Sequence, residues 1–160
     1  MEKDYSKILP PSDLFFMEEA IKEAGKAYVL GEIPVGCVVV LDGKIIGKGH
    51  NLKETLNDPS AHAEVIAIRQ ATEFINNWRL RDASIYITLE PCPMCTSLIT
   101  QSRIGRIIVG YPEYQSGALG SKIDLSEDIS SHHKPEISWL ISEEIKELME
   151  KFFNELRSKN

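Results

Sequence analysis

His62 and Glu64 are separated by a single residue, and further on the run Pro91-Cys92-Pro93-Met94-Cys95 carries two thiols in Cys-x-x-Cys spacing, with Asn51 upstream of both. One imidazole and two thiols are three of the four ligands of a tetrahedral zinc site. A zinc ion with three protein ligands keeps its fourth position for water, which is the arrangement of catalytic rather than structural sites. Two thiolates and a neutral imidazole make such a centre formally neutral. Its water is therefore less acidified than beside three histidines, and the protein must supply a general base. Glu64 can fill that role without binding the metal.

Two alternatives use the same residues. A closed structural site would need a fourth ligand, and His50, His132, His133 and Cys37 are available in the chain. Cys37 falls inside an apolar run, where a free cysteine ordinarily behaves as a small buried hydrophobe; the histidines sit at a strand end and in a polar loop. A redox Cys-x-x-Cys pair would leave His62 and Glu64 unexplained. Asn51 at a strand end reads first as a turn residue. Beside a base-binding pocket its amide could both donate and accept, and so orient a heterocycle. Glu90 reads as structural, hydrogen-bonding near the metal strand.

The elements that must position these groups alternate along the chain. Apolar residues Leu14, Met17, Ile21, Ala24 and Tyr28 recur at helical spacing and predict a helix from about Ser12 to Leu30, capped by Ser12 or Asp13 and packed into the core along that stripe. Val35 to Leu41 reads as a buried strand, Asp42-Gly43 as a hairpin turn, and Lys44 to His50 as the antiparallel return. Pro59-Ser60-Ala61 leads into a second helix carrying His62 and Glu64. Ser84 to Leu89 predicts a strand, Cys92 to Ser102 a helix in which Pro93 is tolerated in the first turn, and Arg106 to Gly110 another strand. The two ligand groups then sit at helix starts, whose positive ends favour thiolate. The segment Tyr111 to Ser130 reads as a long loop with room for a helical turn; Glu136 to Trp139 is the last strand, and an amphipathic helix closes the chain from Ser142. Alternating strands and helices predict a three-layer α/β/α domain around a mixed five-stranded sheet.

The 160 residues are 42% hydrophobic, enough for one domain with a buried core, spanning residues 1–160 with its core at about 12–157. No apolar run approaches the roughly 18 residues of a membrane span, and the acidic start speaks against a secretory signal. Three cysteines make no disulfide framework, so a cytoplasmic setting is expected. The net charge of −6 is not that of a simple nucleic-acid binder. Arg79, Arg81, Arg103, Arg106 and Lys122 nonetheless cluster in the segments around the candidate site, either as a local basic patch or as solvated surface charge.

His-x-Glu followed by Pro-Cys-x-x-Cys is the established signature of zinc nucleobase deaminases. From about Phe15 to Phe153 the chain resembles bacterial tRNA adenosine deaminases of the cytidine-deaminase-like superfamily. The resemblance is carried by Glu32-Ile33-Pro34-Val35-Gly36, Gly49-His50-Asn51, Asp58-Pro59-Ser60-Ala61-His62-Ala63-Glu64 and Thr88-Leu89-Glu90-Pro91-Cys92-Pro93-Met94-Cys95. Gly117-Ala118-Leu119-Gly120-Ser121 and Phe152-Phe153 look more like the tRNA branch in particular. The resemblance implies that His62, Cys92 and Cys95 bind one Zn2+, that Glu64 shuttles protons, that Asn51 contacts the nucleoside, and that Ile33, Ala63 and Pro91 line the base pocket. It further implies a homodimer acting on an adenosine extruded from a tRNA anticodon loop, at the wobble position. Extrusion is physically required, since a stacked base cannot be attacked at C6.

Two segments depart from the family pattern. Tyr111 to Ser116 lacks the aspartate and lysine that relatives usually carry, and Ser131-His132-His133-Lys134-Pro135 replaces a common Asn-His-Arg. These departures keep open a deaminase of a free nucleobase or nucleoside, such as cytosine or guanine, built on the same zinc and glutamate. A catalytically silent binding subunit on the same fold is a third reading, which the intact Glu64 disfavours.

Overall fold

The computed structural model describes residues 3–127 and 133–160. Its elements run α1 (Pro11–Val29), β1 (Gly36–Leu41), β2 (Lys44–His50), α2 (Lys53–Leu56), α3 (Ala63–Ile75), β3 (Ser84–Ile87), α4 (Pro93–Gln101), β4 (Arg106–Val109), β5 (Glu136–Trp139) and α5 (Glu143–Ser158). The sheet order is β2-β1-β3-β4-β5; β1 is antiparallel to both its neighbours, whereas β3, β4 and β5 are parallel. This is the expected three-layer α/β/α architecture with a mixed five-stranded sheet.

Strand alternation sorts the core into two clusters. Cys37 and Val39 of β1, Ile85 and Ile87 of β3, and Ile107 and Val109 of β4 face α3 and α4, where they meet Ala67, Ile68 and Ile99. The residues between them, Val38, Val40, Tyr86 and Ile108, face α1 and α5 and pack on Phe16, Met17, Ala20 and Ile145. Cys37 to Val40 of β1 and Ile85 to Ile87 of β3 are thus all used on one face or the other, which is why these segments read as apolar runs. Asp42 and Gly43 both take positive φ, 50° and 74°, as the two-residue hairpin turn demands. Gly49 of β2 lies so near the Ala63 carbonyl that a Cβ there could not fit, and this close approach seats the start of α3 on the sheet edge.

Two expectations for α1 are corrected. Its N-cap is Pro10, with Pro11 in the first turn and no side-chain cap. Asp13 is buried and turned inward, where it accepts hydrogen bonds from Tyr86 (2.5 Å) and Arg106 (2.8 and 3.2 Å). Leu14 is exposed, and the buried face is Phe16, Met17, Ala20, Ala24 and Ala27. The small α2 was not anticipated, and residues 111–127 form turns and an isolated Leu119–Asp124 bridge rather than a helical turn. Arg106 points to the α1 face and so leaves the basic patch proposed around the site; Arg79 stacks on Trp78 at 4.2 Å. His132 lies outside the described residues. Among those residues no helix is long and apolar enough to cross a membrane.

Candidate active site

The carboxyl ends of β3 and β4, the end of β2 and the first turns of α3 and α4 meet at one end of the sheet, the usual place for a site in an α/β fold. His62 is the N-cap of α3 and Cys92 the N-cap of α4; both have extended backbones just outside the helix. Both had been expected within their helices. The cap position suits them better, because the side chain then stands in front of the orphan N–H groups of the first turn. Pro93 at the start of α4 forces the extended backbone of Cys92. Cys95, one turn on, is buried and faces the same point.

One ligand atom from each of His62, Cys92 and Cys95 lies within 4.8 Å of the other two. The His62 Nδ1 is 3.8 Å from the Cys92 sulfur and 3.6 Å from that of Cys95. Metal–ligand bonds of roughly 2.0–2.3 Å in a tetrahedron require edges of about 3.5–3.8 Å. The two nitrogen–sulfur edges therefore match a zinc site, and the sulfur–sulfur edge lies within 4.8 Å. The triangle's protonation pattern points the same way. Hydrogen bonding from Cys95, against the effect of burial and aided by His62, draws the Cys92 thiol down to about 4, while Cys92 and burial push the Cys95 thiol up. The hydrogen bond to Cys92 raises His62. The three groups share protons in the way a cation would replace. Cys37, fully buried in β1 with its thiol pushed up by burial, is no fourth ligand, and His133 bonds the Ile104 carbonyl at 2.6 Å. His50 is paired with Glu23 at 2.8 Å.

Glu64 is 3% exposed in the first turn of α3, and burial raises its carboxyl above the usual range, an effect that the Cys95 hydrogen bond partly offsets. It opens onto a cavity of about 380 Å³ together with Ile33, Asn51, His62 and Cys92. Ala63 and Pro91, also expected in the pocket wall, are buried and are not among its lining residues: the Ala63 N–H is taken by Asn51, and the Pro91 carbonyl accepts from Ala118. Asn51 does more than turn the chain. Its Oδ1 accepts from Ala63 at 2.9 Å and its Nδ2 donates to the Ile33 carbonyl at 3.1 Å. The cavity is also lined by Lys53 and Met149, which carried no motif, by Glu113, Gln115 and Ser116 of the segment that departs from the family pattern, and by Phe153 of the terminal pair. Chain spacing carries no signal for these, since they converge only once the sheet is assembled.

Residues 10–111 match the family described as the cytidine and deoxycytidylate deaminase zinc-binding region. The tRNA-specific adenosine deaminase of Bacillus subtilis (strain 168) is 40% identical over 148 residues, 92% of each chain. The chain belongs to the tRNA-specific adenosine deaminase family. A solved structure from work on A-to-I editing by tRNA:A34 deaminases at the wobble position of transfer RNA superposes with a TM-score of 0.81 at 39% identity, covering 84% of this chain and 99% of the other. A guanine deaminase from Bacillus subtilis reaches a TM-score of 0.59 at the same 39% identity, over 62% of this chain and 64% of its own. The likeness to the tRNA deaminase extends over more of this chain than the likeness to the guanine deaminase.

Proposed function

We propose that this chain hydrolyses adenosine to inosine in a tRNA anticodon loop, at the wobble position, releasing ammonia. The observation that carries the reaction is the buried Glu64 carboxyl beside the His62–Cys92–Cys95 triangle at the floor of an open cavity. The near full-length likeness to tRNA-specific adenosine deaminases supports the substrate. His62, Cys92 and Cys95 would hold zinc, which would supply a Lewis acid for the attacking water. Glu64 takes the proton from the attacking water and passes it to N1 of the base as the C6–O bond forms. It then takes the remaining proton from the C6 hydroxyl and delivers it to the amino group as the C6–N bond breaks and the C6 carbonyl forms, so that water and adenosine become inosine and ammonia. A carboxyl raised by burial is closer to the operating pH, as a group that both accepts and returns a proton should be. Asn51 holds the entrance of α3 and, by its remaining amide valences, orients the nucleoside; Ile33 flanks it.

The same reading takes residues 1–160 as one deaminase domain working in the cytoplasm, where free thiols stay reduced. It also takes the protein as a homodimer. Trp78 and Met94 are about half exposed and, with Val65, Ile68 and Leu98, line an apolar groove along α3 and α4 that a second copy would cover.

The likeness to a guanine deaminase sustains a second reading, deamination of a free base. Zinc-loaded protein is assayed for ammonia release from an anticodon stem-loop, from nucleosides and from free bases. Inosine in the stem-loop with inert free bases is expected. Turnover of free guanine or cytosine with an inert stem-loop would replace the tRNA reading by the second.

A further inference from the structure

Glu90 follows β3 and immediately precedes Pro91 and Cys92; it is 3% exposed. The rim of the cavity folds around its carboxylate. The backbone N–H groups of Glu113 (3.3 Å), Leu119 (2.9 Å) and Ser121 (3.1 Å) donate to it, as does the Ser121 hydroxyl. Gly117 lies against the same carboxylate, and a Cβ there would fall on Glu90 Oε2 and on the Glu113 carbonyl. Glu113, Gln115 and Ser116 of this loop line the same cavity as Asn51 and Glu64. The loop therefore takes its shape from one buried anion that the deamination chemistry does not use.

The cation that meets this anion comes from 87 residues earlier in the chain. Lys3 Nζ lies 3.4 Å from Glu90 Oε1 and bonds the Ser121 hydroxyl, with its side chain only 13% exposed. It also sits 4.6 Å from the ring centre of Trp139. The segment that delivers it is held along β5: Tyr5 packs edge-on against Trp139 at 5.6 Å, and Lys7 pairs with Glu136 at 3.0 Å. Removing one partner of a buried ion pair leaves an uncompensated charge, and here the backbone amides of the rim would have to adjust to it.

We propose that Lys3 is a positioning residue of the substrate rim. A strap formed by residues 3–7 inserts its ammonium beside Glu90, neutralises the carboxylate, and so holds loop 113–121 in the shape that an incoming anticodon loop meets. The kinetic consequence rests on the anticodon-loop reading above; the strap itself does not.

The test uses the full-length zinc-loaded protein with Lys3→Met and Lys3→Arg. In Lys3→Met, amide exchange in 113–121 accelerates while β1 and β3 keep their protection. KM for an anticodon stem-loop rises about 3- to 10-fold with kcat and zinc content unchanged, and Lys3→Arg restores both. Ser121→Ala removes the hydroxyl shared by Lys3 and Glu90, and it should loosen the same segment. Unchanged exchange in 113–121 in either neutral variant overturns the proposal. So does a loss spread over all strands in which kcat, KM and zinc content fall together without rescue by arginine, because Lys3 would then merely stabilise the fold. If the wild-type protein leaves the stem-loop untouched, the substrate reading fails, and the exchange measurement alone decides for or against the strap.

Discussion

Asn51 Oδ1 accepts the backbone N–H of Ala63 at 2.9 Å, tying the end of β2 to the first turn of the helix that carries Glu64. The bond satisfies one of the orphan donors of α3, whose own N-cap, His62, is committed to the metal triangle and makes no side-chain cap. Asn51→Ala should therefore act twice. Losing the cap-like bond costs about 1–2 kcal/mol of stability, read as a lower Tm. Turnover should fall about 100-fold, because displacement of the α3 entrance moves Glu64 relative to the base. Zinc content should hold. An unchanged Tm with reduced turnover would confine Asn51 to substrate contact.

Glu64→Gln keeps the size of the side chain and its amide can still hydrogen-bond, but it cannot accept the proton of the attacking water. Turnover should drop by about 10³ or more, with zinc content and the circular-dichroism spectrum unchanged. Substantial activity in a fully zinc-loaded variant would remove Glu64 from the proton path.

Metal removal has a chemical signature of its own. With Cys92 drawn down to about 4 and half-buried, the metal-free protein presents a thiolate at neutral pH, whereas Cys37 is fully buried with its thiol pushed up. A chelator should abolish activity and expose Cys92 to alkylation at pH 6–7, leaving Cys37 unmodified, and zinc should protect Cys92. Equal labelling of the two cysteines with or without zinc would contradict the ligand assignment.

The metal ligands were legible in the sequence because each motif is local: His-x-Glu pairs His62 with Glu64, and Cys-x-x-Cys brings Cys95 round one turn after Cys92, whose place as the helix cap the structure then supplies. The Asp42-Gly43 hairpin was legible for the same reason, since positive φ at two successive positions restricts the residues allowed. Local periodicity placed α1 and its buried Met17 and Ala24 but missed at Leu14, because Leu14, Phe15, Phe16 and Met17 offer overlapping apolar stripes and only the sheet decides which is buried. The four residues of α2 are too few for any periodicity. Resemblance marked Tyr111 to Ser116 as a segment that departs from the family pattern, and the structure places Glu113, Gln115 and Ser116 at the cavity, but what holds that rim was not legible. Glu90 meets Ser121 and Lys3 across separations of 31 and 87 residues, and no spacing rule reaches that far. Reaction chemistry is thus encoded in short motifs, and the shape that selects a substrate in long-range contacts.

Asp13, expected as a helix cap, leads to a pH prediction of definite sign. Burial pushes its carboxyl up, but the hydrogen bonds from Arg106 and Tyr86 and the charge of Arg106 outweigh burial and hold it below the usual carboxylate value. An Asp in the unfolded chain titrates near 3.9. The folded group lies lower, so its stabilisation is fully present above that value and is lost as pH falls through the folded one. Arg106 is 30% exposed, which discounts the pair against a fully buried one. Asp13→Asn should cost about 1–3 kcal/mol at pH 7, and the gap between wild type and variant should shrink as denaturation is followed from pH 5 towards pH 2.5. Glu23 and Glu32 are also held below their usual values, by Lys26 and His50 and by the Thr55 and Glu54 donors respectively, each against the opposing effect of burial. The variant should therefore retain part of the acid-side loss. A gap that stays constant from pH 7 to pH 2.5 would mean that Asp13 contributes by shape and hydrogen bonding alone, with no proton linkage.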